Sequence, residues 1–83
     1  MMPDDLVRRG QQAQTLLNDP LLKEAFDLMS QDCYAQWQTS PPDDTARREH
    51  LYLMNRLLGG LKAHLHSLVL DGRLAEQRLE DMP

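Results

Sequence analysis

His50-Leu51-Tyr52-Leu53-Met54-Asn55-Arg56-Leu57-Leu58-Gly59-Gly60-Leu61-Lys62-Ala63-His64-Leu65-His66-Ser67-Leu68 is the stretch on which the fold turns. His50, Met54, Leu57, Leu61, His64 and Leu68 follow one another by alternating steps of four and three residues. That is the a/d alternation of a heptad seam on a helix. Leu51, Leu58 and Leu65 form a second seam with a spacing of seven, and Leu53 joins the first from the side. The apolar arc is too wide for one partner helix to cover. Gly59-Gly60 sits in the middle, where each glycine costs about 1 kcal/mol against alanine in a helix interior. The flanking leucines predict that the helix continues through the pair. The glycines then mark a place where another backbone comes close, with a kink as the alternative.

Working outward, this helix is expected from about Asp44 to Leu70, roughly 40 Å at 1.5 Å per residue. Asp71-Gly72 is the kind of pair that ends a helix with a left-handed residue. A short last helix, Arg73 to Glu80, would then carry Leu74 and Leu79 back onto the body. Upstream, Thr39-Ser40-Pro41-Pro42 is a connector, and Asp43 or Asp44 can cap the long helix. Before it, Leu22, Phe26, Met29, Cys33 and Trp37 form one stripe on a helix expected over Pro20–Gln38, widened by Leu21, Ala25 and Leu28. At roughly 28 Å it is too short to cover the long helix. Asp19 is placed as its N-cap with Pro20 at the first helical position. Residues 4–18 form a weaker amphipathic arm, with Leu6, Val7, Ala13 and Leu17 on one side. Pro3 opens this arm, Asp4 and Asp5 stand at the positive end of its macrodipole, and Gly10 weakens it. No internal repeat or low-complexity tract is read.

The composition agrees with an all-α fold. Val7 and Val69 are the only valines, there is no isoleucine, and β-branched residues are what strands favour. Eighty-three residues make one domain, of a size that commonly needs a staple, a metal or a partner subunit. Cys33 is the only cysteine, so no disulfide forms within a chain and a reducing, intracellular setting is expected. Met1 to Gly10 lacks the positive start and apolar run of a signal peptide. Leu57 to Leu70, the longest apolar candidate, is interrupted by Lys62, His64 and His66, so no membrane span is expected. The formal net charge of −4 disfavours direct binding to nucleic acid or anionic lipid, which need a basic footprint. The acids are spread from Asp4 to Asp81, as on a solvated helical surface. A DNA-mimicking acidic face is the sharper alternative.

No catalytic, cofactor or metal motif emerges. His64 and His66 are two residues apart and point in nearly opposite directions on a helix, and His50 is about four turns from His64. Zinc ligands on a helix need spacings of three or four. His64, in the seam, is expected to be packed against a partner. Were it to meet its own symmetry mate, association would be sensitive to acid. Cys33 lies on an apolar stripe beside Asp32, as a small hydrophobe and not a nucleophile. Arg47-Arg48 opens the long helix, paired with Asp43 and Asp44 or available to an acidic partner. Tyr34 and Trp37 close the hairpin tip or anchor an interface, since Trp, Tyr and Arg are the usual hot-spot residues.

Asn18-Asp19-Pro20-Leu21-Leu22-Lys23-Glu24-Ala25-Phe26, the tryptophan near the end of that helix, Asp43-Asp44-Thr45, Arg48-Glu49-His50-Leu51-Tyr52 and Gly72-Arg73-Leu74-Ala75-Glu76 together resemble small tailed-bacteriophage (prophage) proteins of unknown function encoded among particle-assembly genes. The resemblance runs from about Leu16 to Leu79 and supplies no catalytic residue. It implies a small protein that binds other proteins, phage or host, in the cytoplasm of a bacterial cell or in the phage particle.

The expectation is therefore an all-α helical hairpin, 20–38 against 44–70, with an N-terminal arm and a short C-terminal helix. Hairpins should pair into a four-helix-type bundle through Met54, Leu57, Leu58, Gly59, Gly60, Leu61, His64, Leu65 and Leu68. Tyr34, Trp37, Arg47 and Arg48 are the candidates for binding another protein. The expected function is non-enzymatic and protein-binding, in particle assembly or DNA packaging, without cofactor. The alternative is a small acidic inhibitor of a host defence or nucleic-acid-binding enzyme.

Overall fold

The structure, a computed structural model, describes residues 2–82. Three helices account for nearly all of them: α1 (Pro3–Asn18), α2 (Pro20–Thr39) and α3 (Thr45–Glu80). No strand occurs among the described residues.

A single extended residue separates α1 from α2. Asp19 ends α1 by donating its backbone N–H to the Leu16 carbonyl, and its carboxylate caps α2 by accepting from the Leu22 N–H at 2.9 Å. Pro20 follows at the first helical turn, where its missing N–H leaves no bond unmade. Asp44 caps α3 in the same way, accepting from the Arg47 N–H at 3.2 Å.

α3 differs from expectation. It does not stop at Asp71-Gly72 but runs 36 residues without a break, so Arg73 to Glu80 is its last part and not a separate helix. Gly72 has no left-handed backbone. Its missing Cβ serves packing instead. A Cβ built on Gly72 would lie 2.9 Å from the Gly10 Cα and 2.9 Å from the Leu6 carbonyl oxygen. One on Gly10 would lie 2.9 Å from the Gly72 Cα and 3.0 Å from the Leu68 carbonyl oxygen. Two helix backbones therefore touch at this pair. The arm is not free: α1 is docked along the C-terminal part of α3, with Gly10, Ala13, Val69, Gly72 and Ala75 buried between them.

This contact exposes an internal repeat that the reading of the sequence missed. Leu6-Val7-x2-Gly10-x2-Ala13-x3-Leu17 recurs as Leu68-Val69-x2-Gly72-x2-Ala75-x3-Leu79. The two copies pack on one another, each glycine beneath the carbonyl four residues before the other.

The other end of α3 holds α2. Phe26 and Cys33 of α2 and Leu51 of α3 are buried there, with Leu22, Leu58 and Leu65 half-buried. The second seam, Leu51, Leu58 and Leu65, thus faces α2. α1 and α2 follow one another along a single long partner. At 1.5 Å per residue their summed length is about 54 Å, the same as α3. The protein is a plank of 63 × 24 × 14 Å with a radius of gyration of 17.8 Å, against about 12 Å for a compact chain of this length. Its third dimension is close to one helix diameter.

Candidate functional site

One layer of paired helices has two broad faces. A shallow cavity of about 210 Å³ on one face is lined by Cys33, Tyr34, Trp37, Leu51, Tyr52 and Asn55. Tyr34 of α2 and Tyr52 of α3 therefore lie on the same face. Around each helix, Ala25 and Met29 lie on the opposite side of the α2 stripe from Tyr34. Met54, Leu57, Leu61 and His64 lie on the opposite side of the α3 seam from Tyr52, at about 100° per residue. The second broad face is therefore apolar, and it is bare. His50, Leu53, Met54, Leu57, Leu61 and His64 are all exposed, Leu57 at 73 % and Leu61 at 52 %. Contiguous exposed apolar patches are a common property of interaction surfaces.

The residues expected at an interface accordingly divide. Met54, Leu57, Leu61 and His64 sit together on the bare stripe. Leu58, Leu65 and Leu68 are half-buried and turn toward the helices of their own chain. Gly59 and Gly60 make no close backbone approach within the chain, and a Cβ on either would meet open space. The helix is neither broken nor left-handed there. Gly59 lies about half a turn of the helix from the centre of the stripe, so it does not share a face with Leu57 and Leu61. The close approach that the chain does make is at Gly10 and Gly72.

The hairpin tip is built from Trp37, Ser40 and Arg48. The Ser40 hydroxyl donates to the Trp37 carbonyl at 2.6 Å, turning back at the end of α2. Arg48 Nη1 donates to Ser40 Oγ at 3.0 Å and to the carbonyls of Trp37 and Ser40 at 3.4 and 3.5 Å. A cation at a helix C-terminus is favourable to its dipole. The same guanidinium lies over the Trp37 ring, 4.2 Å from its centroid, a cation–π contact. Tyr34 stacks beside Trp37 with centroids 6.4 Å apart and planes at 19°. Arg48 thus holds the end of α2 and is not paired with Asp43 or Asp44. Arg47 is exposed on the surface.

Tyr52 and Asn55 were not singled out from the sequence. The available signal was the four-residue step from Arg48 to Tyr52, which puts Tyr52 one turn along the face that meets the α2 tip. Cys33 is a free, buried thiol under the aromatic cavity. His50, His64 and His66 are exposed, and no group of three or more His, Cys, Asp or Glu side chains is placed to hold a metal among the described residues. None of the described helices is long and apolar enough to cross a membrane. Comparison with known proteins finds no significant match to this chain among family models, curated proteins or solved structures.

Proposed function

We propose that this chain is a non-enzymatic accessory protein that acts by binding other proteins, in the particle assembly or DNA packaging of a tailed phage. The observation that carries the protein-binding part is the bare apolar face around Leu57 and Leu61. A plank one helix layer thick leaves this face open along its length, and contact with another protein is the ordinary way to cover it. The phage setting rests on the resemblance in sequence alone. The aromatic tip, with Tyr34, Trp37 and Tyr52 around one cavity, offers a second contact of the type that anchors interfaces. Self-association through the apolar face belongs to the same reading. The proposed location is the bacterial cytoplasm or the particle.

The experiment is capture of the tagged protein from infected bacteria, followed by mass spectrometry. Recovery of capsid, portal or terminase components is expected, and it should fall when Tyr34 and Trp37 are both changed to Ala. Recovery of a host nucleic-acid-binding enzyme alone, displaced by its nucleic acid in a salt-sensitive way, would contradict this reading and favour an acidic inhibitor.

A further inference from the structure

We infer that the bare face of α3 is covered by the same face of a second copy of this chain, with the two α3 helices antiparallel across a two-fold axis at the level of residue 59. This rests on the protein-binding reading of that face and names its occupant. Three observations carry it.

The first is spacing. The steps along the bare stripe from Met54 through Leu57 and Leu61 to His64 are three, four and three, which read the same in both directions. An antiparallel two-fold therefore sets every member of the stripe opposite another member. Leu57 meets the second copy's Leu61, and Met54 meets its His64. An isologous interface needs this self-complementarity. His64 faces a methionine in this register and not its own mate.

The second is charge. The chain is acidic overall, at −4, and a like-charged copy would be repelled from most of its surface. The α3 segment between Glu49 and Asp71 contains no acid. Its two full cations are turned toward aromatic rings of the same chain: Lys62 lies 5.8 Å from the Phe26 centroid and Arg56 lies 6.0 Å from the Tyr52 centroid. Two such stripes meet without opposing like charges.

The third is area. The protein exposes 6563 Å². A compact folded chain of 9.6 kDa exposes about 5,100 Å², which leaves an excess of roughly 1,500 Å² per chain. Obligate homodimers bury upward of about 1,000 Å² per protomer. The excess is of the size that a stable dimer removes.

The test is sedimentation of the purified full chain and its variants at micromolar concentration, with helicity followed by circular dichroism. Leu57→Glu with Leu61→Glu puts like charges at the axis and should raise the dimer dissociation constant by at least about 100-fold. Leu57→Glu with Leu61→Lys puts opposite charges across an antiparallel two-fold and should leave a dimer. In a parallel pair it would set like against like and dissociate. Leu70→Glu, exposed and off the stripe, should leave the dimer unchanged. If the doubly acidic chain proves unfolded alone, mixing it with Leu57→Lys plus Leu61→Lys should restore a folded dimer. The inference is overturned if the doubly acidic chain remains dimeric, if the Glu/Lys chain dissociates as readily as the Glu/Glu chain, or if mixing restores nothing. A persisting dimer in the first case would leave self-association standing through another face, and the capture experiment tests partner binding independently.

Discussion

Four glycines lie in helices, and their surroundings divide them into two kinds. At Gly10 and Gly72 the α1 and α3 backbones touch, with a would-be Cβ on each 2.9 Å from the other's Cα. Gly59 and Gly60 face open space within the chain. The same substitution should therefore act with opposite sign. Gly72→Ala forces two backbones apart, at the upper end of the roughly 1–3 kcal/mol that overpacking costs, and after its helix-propensity gain of about 1 kcal/mol it should lower stability by about 1–2 kcal/mol in urea unfolding. Gly59→Ala meets nothing and should raise stability by about 1 kcal/mol. Equal stability of Gly72→Ala and the native chain would contradict the backbone contact. The sequence presented Gly10 as a weak point in its helix and Gly72 as a helix stop, because a helix interior shows the cost of a glycine but not what lies against it. The clue present in the residues was the repeated Leu-Val-x2-Gly-x2-Ala-x3-Leu pattern. Its copies are 62 positions apart, and no single heptad window spans both.

At the scale of elements, caps and breaks were legible and one stop signal misled. Asp19-Pro20 and Asp44 end and begin helices as their chemistry predicts, because capping is a local property of two or three residues. The seam of α3 was legible for the same reason. Asp71-Gly72 failed because tertiary packing overrides a terminator when the glycine is needed for contact, here with Gly10. Backbone amide exchange tests this directly: amides from Asp71 to Ala75 should exchange slowly, as in a helix interior, and rapid exchange there would restore the separate C-terminal helix. The hairpin tip makes a second prediction. Trp37 is the only tryptophan and carries Arg48 over its ring, so its fluorescence reports the tip alone. Arg48→Ala should shift its emission to the red, increase quenching by acrylamide and cost about 1 kcal/mol. An unchanged spectrum would show that Arg48 does not hold the ring. The role of Arg48 was legible only in outline. The sequence placed Arg48 at the start of the long helix, paired with Asp43 and Asp44 or open to an acidic partner, but it could not show that its partners are carbonyls at the end of the preceding helix.

For the whole molecule, the sequence revealed the deficit and the structure located it. Two seams on one long helix were visible in the leucine spacing. Which seam is used within the chain was not, since helices of equal apolar period can dock on either. α2 takes Leu51, Leu58 and Leu65, and the stripe through Met54, Leu57 and Leu61 is left in solvent. The buried side chains are few and mostly small: Phe26 and Leu51 are the largest. A chain with so thin a core is expected to be comfortably stable only when its open face is covered. Stability should accordingly depend on protein concentration, as it does when association and folding are linked. The most direct measurement is sedimentation equilibrium of the native chain through the micromolar range. The mass should be twice the 9.6 kDa of one chain, falling toward the monomer on dilution together with helicity. A stable, fully helical monomer at every concentration would contradict the account.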